Sequence, residues 1–268
     1  MDLGLAGQTA VVVGGAKGIG HAVAFAFAAE GANIALLDID PGIAAAARDL
    51  AERHRVRVLS CLADVTDFAA VLRATDEIQS ALGRTDHIVC AAAVGSGKHG
   101  FPFWNLEPAD WRRVLEVNLL GAVNVAQAFA PALARARSGT MLFLASVAGQ
   151  VGSQTDPPYS ASKAALINFA QCAARDLAPY NVRVNALCPG MVETALNRSV
   201  WEAWERRQPE GARQTYAEWA ADKIRRLVPL GRWQQPEDIA AMAVFLASPR
   251  AGNVTGQTIN VDGGYVMR

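Results

Sequence analysis

Thr9-Ala10-Val11-Val12-Val13-Gly14-Gly15-Ala16-Lys17-Gly18-Ile19-Gly20 is the stretch whose reading decides the fold. Its first five residues are apolar and largely β-branched, the pattern of a buried strand. Glycines then break the strand, and an alanine-rich run with helical spacing follows over 22–29. A strand that turns through glycines into a helix leaves the first helical N–H groups unpaired and facing the turn. Glycine lets the backbone come close to an anion, and the helix dipole adds positive charge, so such a turn suits a phosphate. In this strand–turn–helix context the segment predicts a dinucleotide cradle at Gly14, Lys17, Gly18, Ile19 and Gly20.

The rest of the chain repeats the alternation. Strand patterns recur at 33–37, 57–61, 87–91, 140–145, 183–188 and 258–261, separated by helical patterns such as 69–82, 111–135 and 162–178. Strands apolar on both faces and alternating with helices imply a parallel sheet covered on both sides. The expected fold is α/β, a Rossmann-like doubly wound sheet. One segment departs from the rhythm: residues 195–228 carry Trp201, Trp204, Trp219 and many charges, and read as amphipathic helices inserted before the last βα unit. A single domain over 1–268 with a helical substrate lid at 195–228 is the expectation.

Composition narrows the function classes. The 268 residues carry 25 Lys+Arg against 25 Asp+Glu, and the pI is near 6.9. A nucleic-acid binder would show a basic excess. The apolar run near the start is far too short to span a membrane. Cys61, Cys90, Cys172 and Cys188 lie far apart without metal or redox spacing and read as core thiols in a reducing compartment. The expectation is a cytoplasmic protein with a small-molecule substrate and no nucleic-acid, membrane or metal partner.

The strand after the cradle ends in Asp38, 18 positions past Gly20. A carboxylate there accepts hydrogen bonds from an adenosine ribose and repels a 2′-phosphate, which selects NAD over NADP. Asp40 is a second candidate, and Lys17 pulls the other way by attracting a phosphate.

Tyr159 and Lys163 stand four apart in a helical pattern and so share a face. A phenol titrates near pH 10 and is a poor base at neutral pH. A neighbouring ammonium, together with an oxidised nicotinamide, is expected to lower that value. The tyrosine then exchanges a proton with an alcohol or carbonyl oxygen while hydride moves at the same carbon. Ser146, 13 residues earlier at a strand end, is placed to steady the developing alkoxide.

Along essentially its whole length the chain resembles the short-chain dehydrogenase/reductase family. The likeness is carried by the Gly14–Gly20 turn, Asp64-Val65, Asn118 within Val117-Asn118-Leu119-Leu120-Gly121, Ser146, Tyr159-x-x-x-Lys163, Pro189-Gly190 and Asp262-Gly263-Gly264. The resemblance implies Tyr159 as acid/base, with Ser146 orienting the substrate oxygen. It implies that Lys163 lowers the tyrosine pKa and binds the nicotinamide ribose, while Asn118 positions a water in a relay to Lys163. Asp64 and Val65 are implied at the adenine, the Val192 backbone and Thr194 hydroxyl at the carboxamide, and Ala92 is counted among the cofactor-binding residues. Each of Asp64, Asn118 and Thr194 also has a plain structural reading, as a turn acid or a helix cap. The resemblance further implies a homo-oligomer, most often a homotetramer, with a dimer as the alternative.

Two positions depart from the family pattern. Val13 stands where a threonine usually precedes the first glycine, and Cys90-Ala91-Ala92-Ala93 replaces Asn-Asn-Ala-Gly. Both remove a buried polar group, and a donor and acceptor lost together can be nearly neutral. The pairing expected is Val13 with Ala91.

Substrate choice is expected in residues 94–101, in 150–158 and in the lid, with Gln154 and Trp201 joining Ser146 and Tyr159 as contacts. The lid tryptophans are equally suited to packing. Of the histidines, only His99 falls where it reaches substrate. The Thr255-Gly256-Gln257 ending and the lid length are similar to polyol, sugar and acetoin-type dehydrogenases. The expected activity is NAD-dependent interconversion of a secondary alcohol, such as a polyol or sugar, and its ketone. An NADPH-dependent keto-thioester reductase is the alternative, and a non-catalytic nucleotide-binding scaffold is the alternative of another class.

Overall fold

The computed structural model describes residues 2–152 and 155–267. Seven strands lie in one sheet: β1 Thr9–Val13, β2 Asn33–Asp38, β3 Val58–Leu62, β4 His87–Cys90, β5 Gly139–Leu144, β6 Val182–Pro189 and β7 Thr258–Val261. All pairings are parallel. The order β3-β2-β1-β4-β5-β6-β7 places the switch point between β1 and β4, where a parallel sheet opens a crevice at its carboxyl edge.

Strand alternation sorts the core into two layers. Val11 and Val13 face one cluster with Val125, Phe129 and Leu166, whereas Ala10 and Val12 face another with Val23, Phe27 and Ala243. Helices α3 (Phe68–Leu82), α5 (Gly121–Ala136) and α6 (Pro157–Leu177) cover the first face. Helices α1 (Gly18–Ala29), α2 (Ile43–Arg53) and α9 (Pro236–Ala247) cover the second. A fully enclosed side chain such as Phe27, Phe129 or Phe143 contributes about 1.5–3 kcal/mol by leaving water.

The helix expected over 111–135 is not uniform. Helix α4 (Pro108–Leu115) passes through a π-helical turn, Glu116–Leu120, before α5 begins. The extra residue in that turn re-aims Asn118 toward the loop after β4. By length and composition the continuous run Pro108–Ala136 passes as a membrane span, yet Val125, Phe129 and Leu133 are packed in the core against the sheet. Helix α6 starts earlier than its apolar pattern, with prolines at 157 and 158 in the first turn. Tyr159 therefore sits in the first turn rather than in a preceding loop. The segment 195–228 forms α7 (Ala195–Glu205) and α8 (Tyr216–Leu227), the second opened by a Thr215/Glu218 capping box.

Two expectations are corrected. Cys172 is exposed on the outer face of α6, unlike the buried Cys61, Cys90 and Cys188, because its helical position points away from the sheet. Val13 is register partner of Cys90 and shares its core face, while Ala91 packs toward the opposite cluster. Neighbours in a parallel pair project the same way, so the apolar exchange couples positions 13 and 90 rather than 13 and 91.

Candidate active site

The glycine turn is built by contact. Gly14 has φ +80°, and a Cβ on it would lie 2.5 Å from the Ala92 nitrogen. A Cβ on Gly20 would meet the Gly14 carbonyl oxygen. Gly18 differs: its φ is +60°, and the nearest atom to an added Cβ is Thr194 Cγ2 at 4.0 Å. Lys17 heads α1 without any side-chain cap, which leaves the first helical N–H groups facing this open space. Close packing beneath and room above at a helix N-terminus fit a dinucleotide pyrophosphate. Ala92 serves the cradle through its backbone, pressed against Gly14.

Asp38 stands at the end of β2. Its Oδ2 accepts from Ala16 N at 3.0 Å and its Oδ1 from Asp40 N at 3.0 Å. Lys17 is answered by Asp40, with Nζ 2.9 Å from Oδ2. That hydrogen bond raises the lysine and lowers the Asp40 carboxyl, so the cation in the loop is already matched. Asp64 Oδ1 accepts from both the Thr66 N–H and the Thr66 hydroxyl at 2.8 Å, the turn role available to it. The Val65 carbonyl takes the Asn124 amide at 2.9 Å.

Ser146 follows β5 and opens a single turn, its Oγ accepting from Ala148 N at 3.1 Å. The Ser146 hydroxyl lies close enough to the Tyr159 phenol to hold its titration down. Lys163, one helical turn on from Tyr159, is only 2% exposed. Its Nζ donates to the Leu144 carbonyl at 2.6 Å and lies 5.5 Å from the tyrosine ring centre. Burial pushes the phenol up to about 12 against the Ser146 contact, and pushes the ammonium down to about 8. The expected lowering of the phenol is thus not a property of the chain alone: desolvation outweighs the Ser146 contact, and the nearby Asp156 raises the phenol further.

Asn118 gathers three elements. Its Oδ1 accepts from Val94 N at 2.8 Å, and its Nδ2 donates to Val94 O at 2.9 Å and Ser162 Oγ at 3.0 Å. Ser162 Oγ in turn donates to the Tyr159 carbonyl at 2.7 Å. Among the described residues no hydrogen bond joins Asn118 to Lys163. Thr194 caps α7 through Oγ1 to Asn197 N at 3.3 Å, and the buried Val192 bridges Gln234.

The substrate contacts fare unequally. Gln154 lies outside the described residues. The Trp201 indole donates to the Gln214 carbonyl at 3.1 Å and packs on Tyr216, which stacks on Trp219. This is the packing alternative. Asp156, a polar candidate that the sequence places in the 150–158 wall beside Gln154, sits 3.4 Å from His99, whereas residue patterns alone did not reveal Arg207, which ties residues 195–228 to Gly100. Lone residues in irregular segments carry no periodic signal.

Sheet order and site define the class: an oxidoreductase that works on CH–OH groups with a nicotinamide dinucleotide. The model for enoyl-(acyl carrier protein) reductase matches residues 14–266. The 3-oxoacyl-(acyl-carrier-protein) reductase FabG of Thermotoga maritima is 34% identical, covering 98% of this chain and 99% of its own. The D-threitol dehydrogenase of Mycolicibacterium smegmatis is also 34% identical, over 100% and 96%. Among solved structures, L-sorbose reductase from Gluconobacter frateurii, complexed with NADPH and L-sorbose, superposes with a TM-score of 0.91 at 29% identity, covering 100% of both chains. The chain belongs to the short-chain dehydrogenase/reductase family.

Proposed function

We propose that the protein oxidises a secondary hydroxyl of a polyol or sugar, or reduces the corresponding ketone, with NAD(H) and with Tyr159 as acid/base. The observation that carries this reading is the Tyr159 ring with the buried Lys163 ammonium 5.5 Å from its centre and the Ser146 hydroxyl beside its phenol. A substrate oxygen held between the Ser146 and Tyr159 hydroxyls would meet two donors at once. The nicotinamide, when bound, supplies the hydride acceptor or donor. Tyr159 takes the carbinol proton in oxidation and returns it in reduction. Lys163 stands behind the ring, fixed by the Leu144 carbonyl, and holds charge that favours phenolate. Asn118 fixes the loop after β4 and, through Ser162, the carbonyl of Tyr159 itself.

Gly14, Lys17, Gly18, Ile19, Gly20 and Ala92 would hold the dinucleotide phosphates, with Asp64 and Val65 on the adenosine side and Val192 and Thr194 at the carboxamide. NAD is favoured over NADP because Asp38 presents a carboxylate where a 2′-phosphate would come, and Asp40 already neutralises Lys17. Sequence likeness is equal for the two relatives, so the polyol preference rests on the polar His99 and Asp156 in the segments expected to set substrate choice. We place the protein in the cytoplasm, as a homotetramer that native mass measurement would reveal.

Tyr159→Phe tests the assignment. It should lower kcat with polyols by about 10²–10⁴-fold, the range for a lost acid/base group, while NADH binding followed by fluorescence stays within a few-fold. Turnover that survives the substitution would remove Tyr159 from the chemistry, and wild-type protein that binds NADH but turns over no alcohol or ketone would be a scaffold.

A further inference from the structure

His99 and Asp156 form a buried pair that the roles above leave unused. His99 lies in the loop after β4, and Asp156 immediately precedes α6, three residues before Tyr159. Their side chains are 6% and 7% exposed, with His99 Nδ1 3.4 Å from Asp156 Oδ2. Ser96 N donates to the same oxygen at 2.9 Å. Burial pulls the Asp156 carboxyl upward, yet the Ser96 hydrogen bond and the neighbouring His99, which approaches without hydrogen-bond geometry, overcome it and leave the group below the ordinary carboxylate value. The packing is close: a Cβ on Gly95 would lie 2.8 Å from His99 Cε1 and 2.9 Å from Asp156 Oδ2.

A carboxylate beside one imidazole nitrogen selects the tautomer. With Nδ1 facing Asp156, the proton sits there and Nε2 is an acceptor. No hydrogen bond joins Nε2 to a described residue. The next residue fastens the loop on two sides: Gly100 N donates to the Thr155 carbonyl, and Gly100 O accepts from Arg207 Nη1 at 3.2 Å. The Arg207 guanidinium also lies over the Phe101 ring, 4.9 Å from its centre. All three segments expected to set substrate choice therefore meet around His99, and Asp156 is near enough for its charge to act on the Tyr159 phenol.

We propose that His99 is a specificity-determining residue, accepting through Nε2 a hydrogen bond from a second substrate hydroxyl next to the reacting carbinol, and that Asp156 positions it. This rests on the polyol reading above. A pair serving only to staple the loop to α6 would affect all substrates alike, whereas a hydroxyl reader separates substrates that have the second hydroxyl from those that lack it.

The experiment compares kcat/KM for a vicinal butanediol with that for the secondary butanol lacking the second hydroxyl, in wild type, His99→Phe, His99→Gln and Asp156→Asn. Wild type should prefer the diol. His99→Phe should reduce the diol-to-monool ratio roughly tenfold, the worth of one hydrogen bond, chiefly through KM for the diol. Asp156→Asn should reduce it too, because an amide N–H turned to Nδ1 reverses the tautomer, as tautomer reversal does elsewhere. His99→Gln, whose amide oxygen can accept, should keep an intermediate ratio, and it decides the matter if the phenylalanine variant fails to fold. A diol preference unchanged in these variants overturns the role of His99 and leaves the polyol reading standing. Wild-type protein with no diol preference overturns both.

Discussion

Replacing Lys163 by methionine in the cofactor-free protein exposes what the site costs the fold. The lysine is 2% exposed, and the hydrogen bond recorded for its Nζ goes to the Leu144 carbonyl at 2.6 Å. Burial moves it from 10.5 to about 8, which corresponds to roughly 3 kcal/mol of preference for the uncharged form. At pH 7 the folded protein still carries the ammonium and bears that penalty. Methionine fills a similar volume without charge, but strands the Leu144 carbonyl at a cost of about 1–2 kcal/mol. The variant should therefore be about 1–2 kcal/mol more stable than wild type near pH 7, and inactive. The sign depends on pH. Because the folded value lies below the unfolded one, the unfolded chain binds more protons between about 8 and 10.5, and wild-type stability rises across that window. The variant's advantage should shrink and then reverse. Tyr159 works oppositely: its value, raised to about 12, lends stability that is lost as pH climbs beyond about 10. Urea unfolding near pH 7 and near pH 9.5 reads the lysine effect below the range in which Tyr159 acts. A methionine variant weaker than wild type at pH 7, or a difference that ignores pH, would refute the reasoning.

Three further outcomes follow from particular contacts. Asp38→Asn removes one like charge from the region a 2′-phosphate would enter, and should raise the NADP-to-NAD ratio of kcat/KM roughly ten- to hundredfold; an unchanged ratio would move cofactor choice elsewhere. Arg183 donates to the carbonyls of Leu246, Ala247, Ser248 and Val254, so Arg183→Met should cost about 3 kcal/mol in urea unfolding, and a loss below about 1 kcal/mol would count against that knot. Val13→Thr with Cys90→Asn should be less damaging than the sum of the single changes by about 1 kcal/mol, measured as a double-mutant cycle, with additive effects as the contrary result.

Much of this fold is legible because its signals are periodic. All seven strands lie within a residue or two of their apolar runs, since strands buried on both faces leave an unbroken hydrophobic signature. Helix starts are less legible: α6 begins on prolines, which lack any apolar rhythm, and the π-helical turn at Asn118 is invisible to a pattern of period 3.6. The glycine turn was readable because Gly14 and Gly20 each abut backbone and tolerate no side chain. Lys17 reads as an unmatched cation in sequence because its partner Asp40 is 23 positions distant. Positions 13 and 90 were mispaired by one residue, and in a strand a one-residue shift changes faces.

The division between framework and walls explains why relatives with such different named substrates are equally similar to this chain. Tyr159, Ser146, Lys163 and Asn118 are anchored to regular elements. Lys163 is held by the last carbonyl of β5, Ser146 by the turn leaving that strand, and Asn118 by a helix whose neighbour carries Tyr159. None of these anchors involves residues 94–101, 150–158 or the lid except the Val94 backbone. Side chains in those segments can therefore change without moving the groups proposed to react. A thioester-type and a tetritol-type relative, each 34% identical, are compatible with one catalytic frame. It follows that substitutions in the frame should change kcat for every substrate together, whereas substitutions around His99, Asp156 and Arg207 should reorder substrates while leaving the dependence on Tyr159 intact.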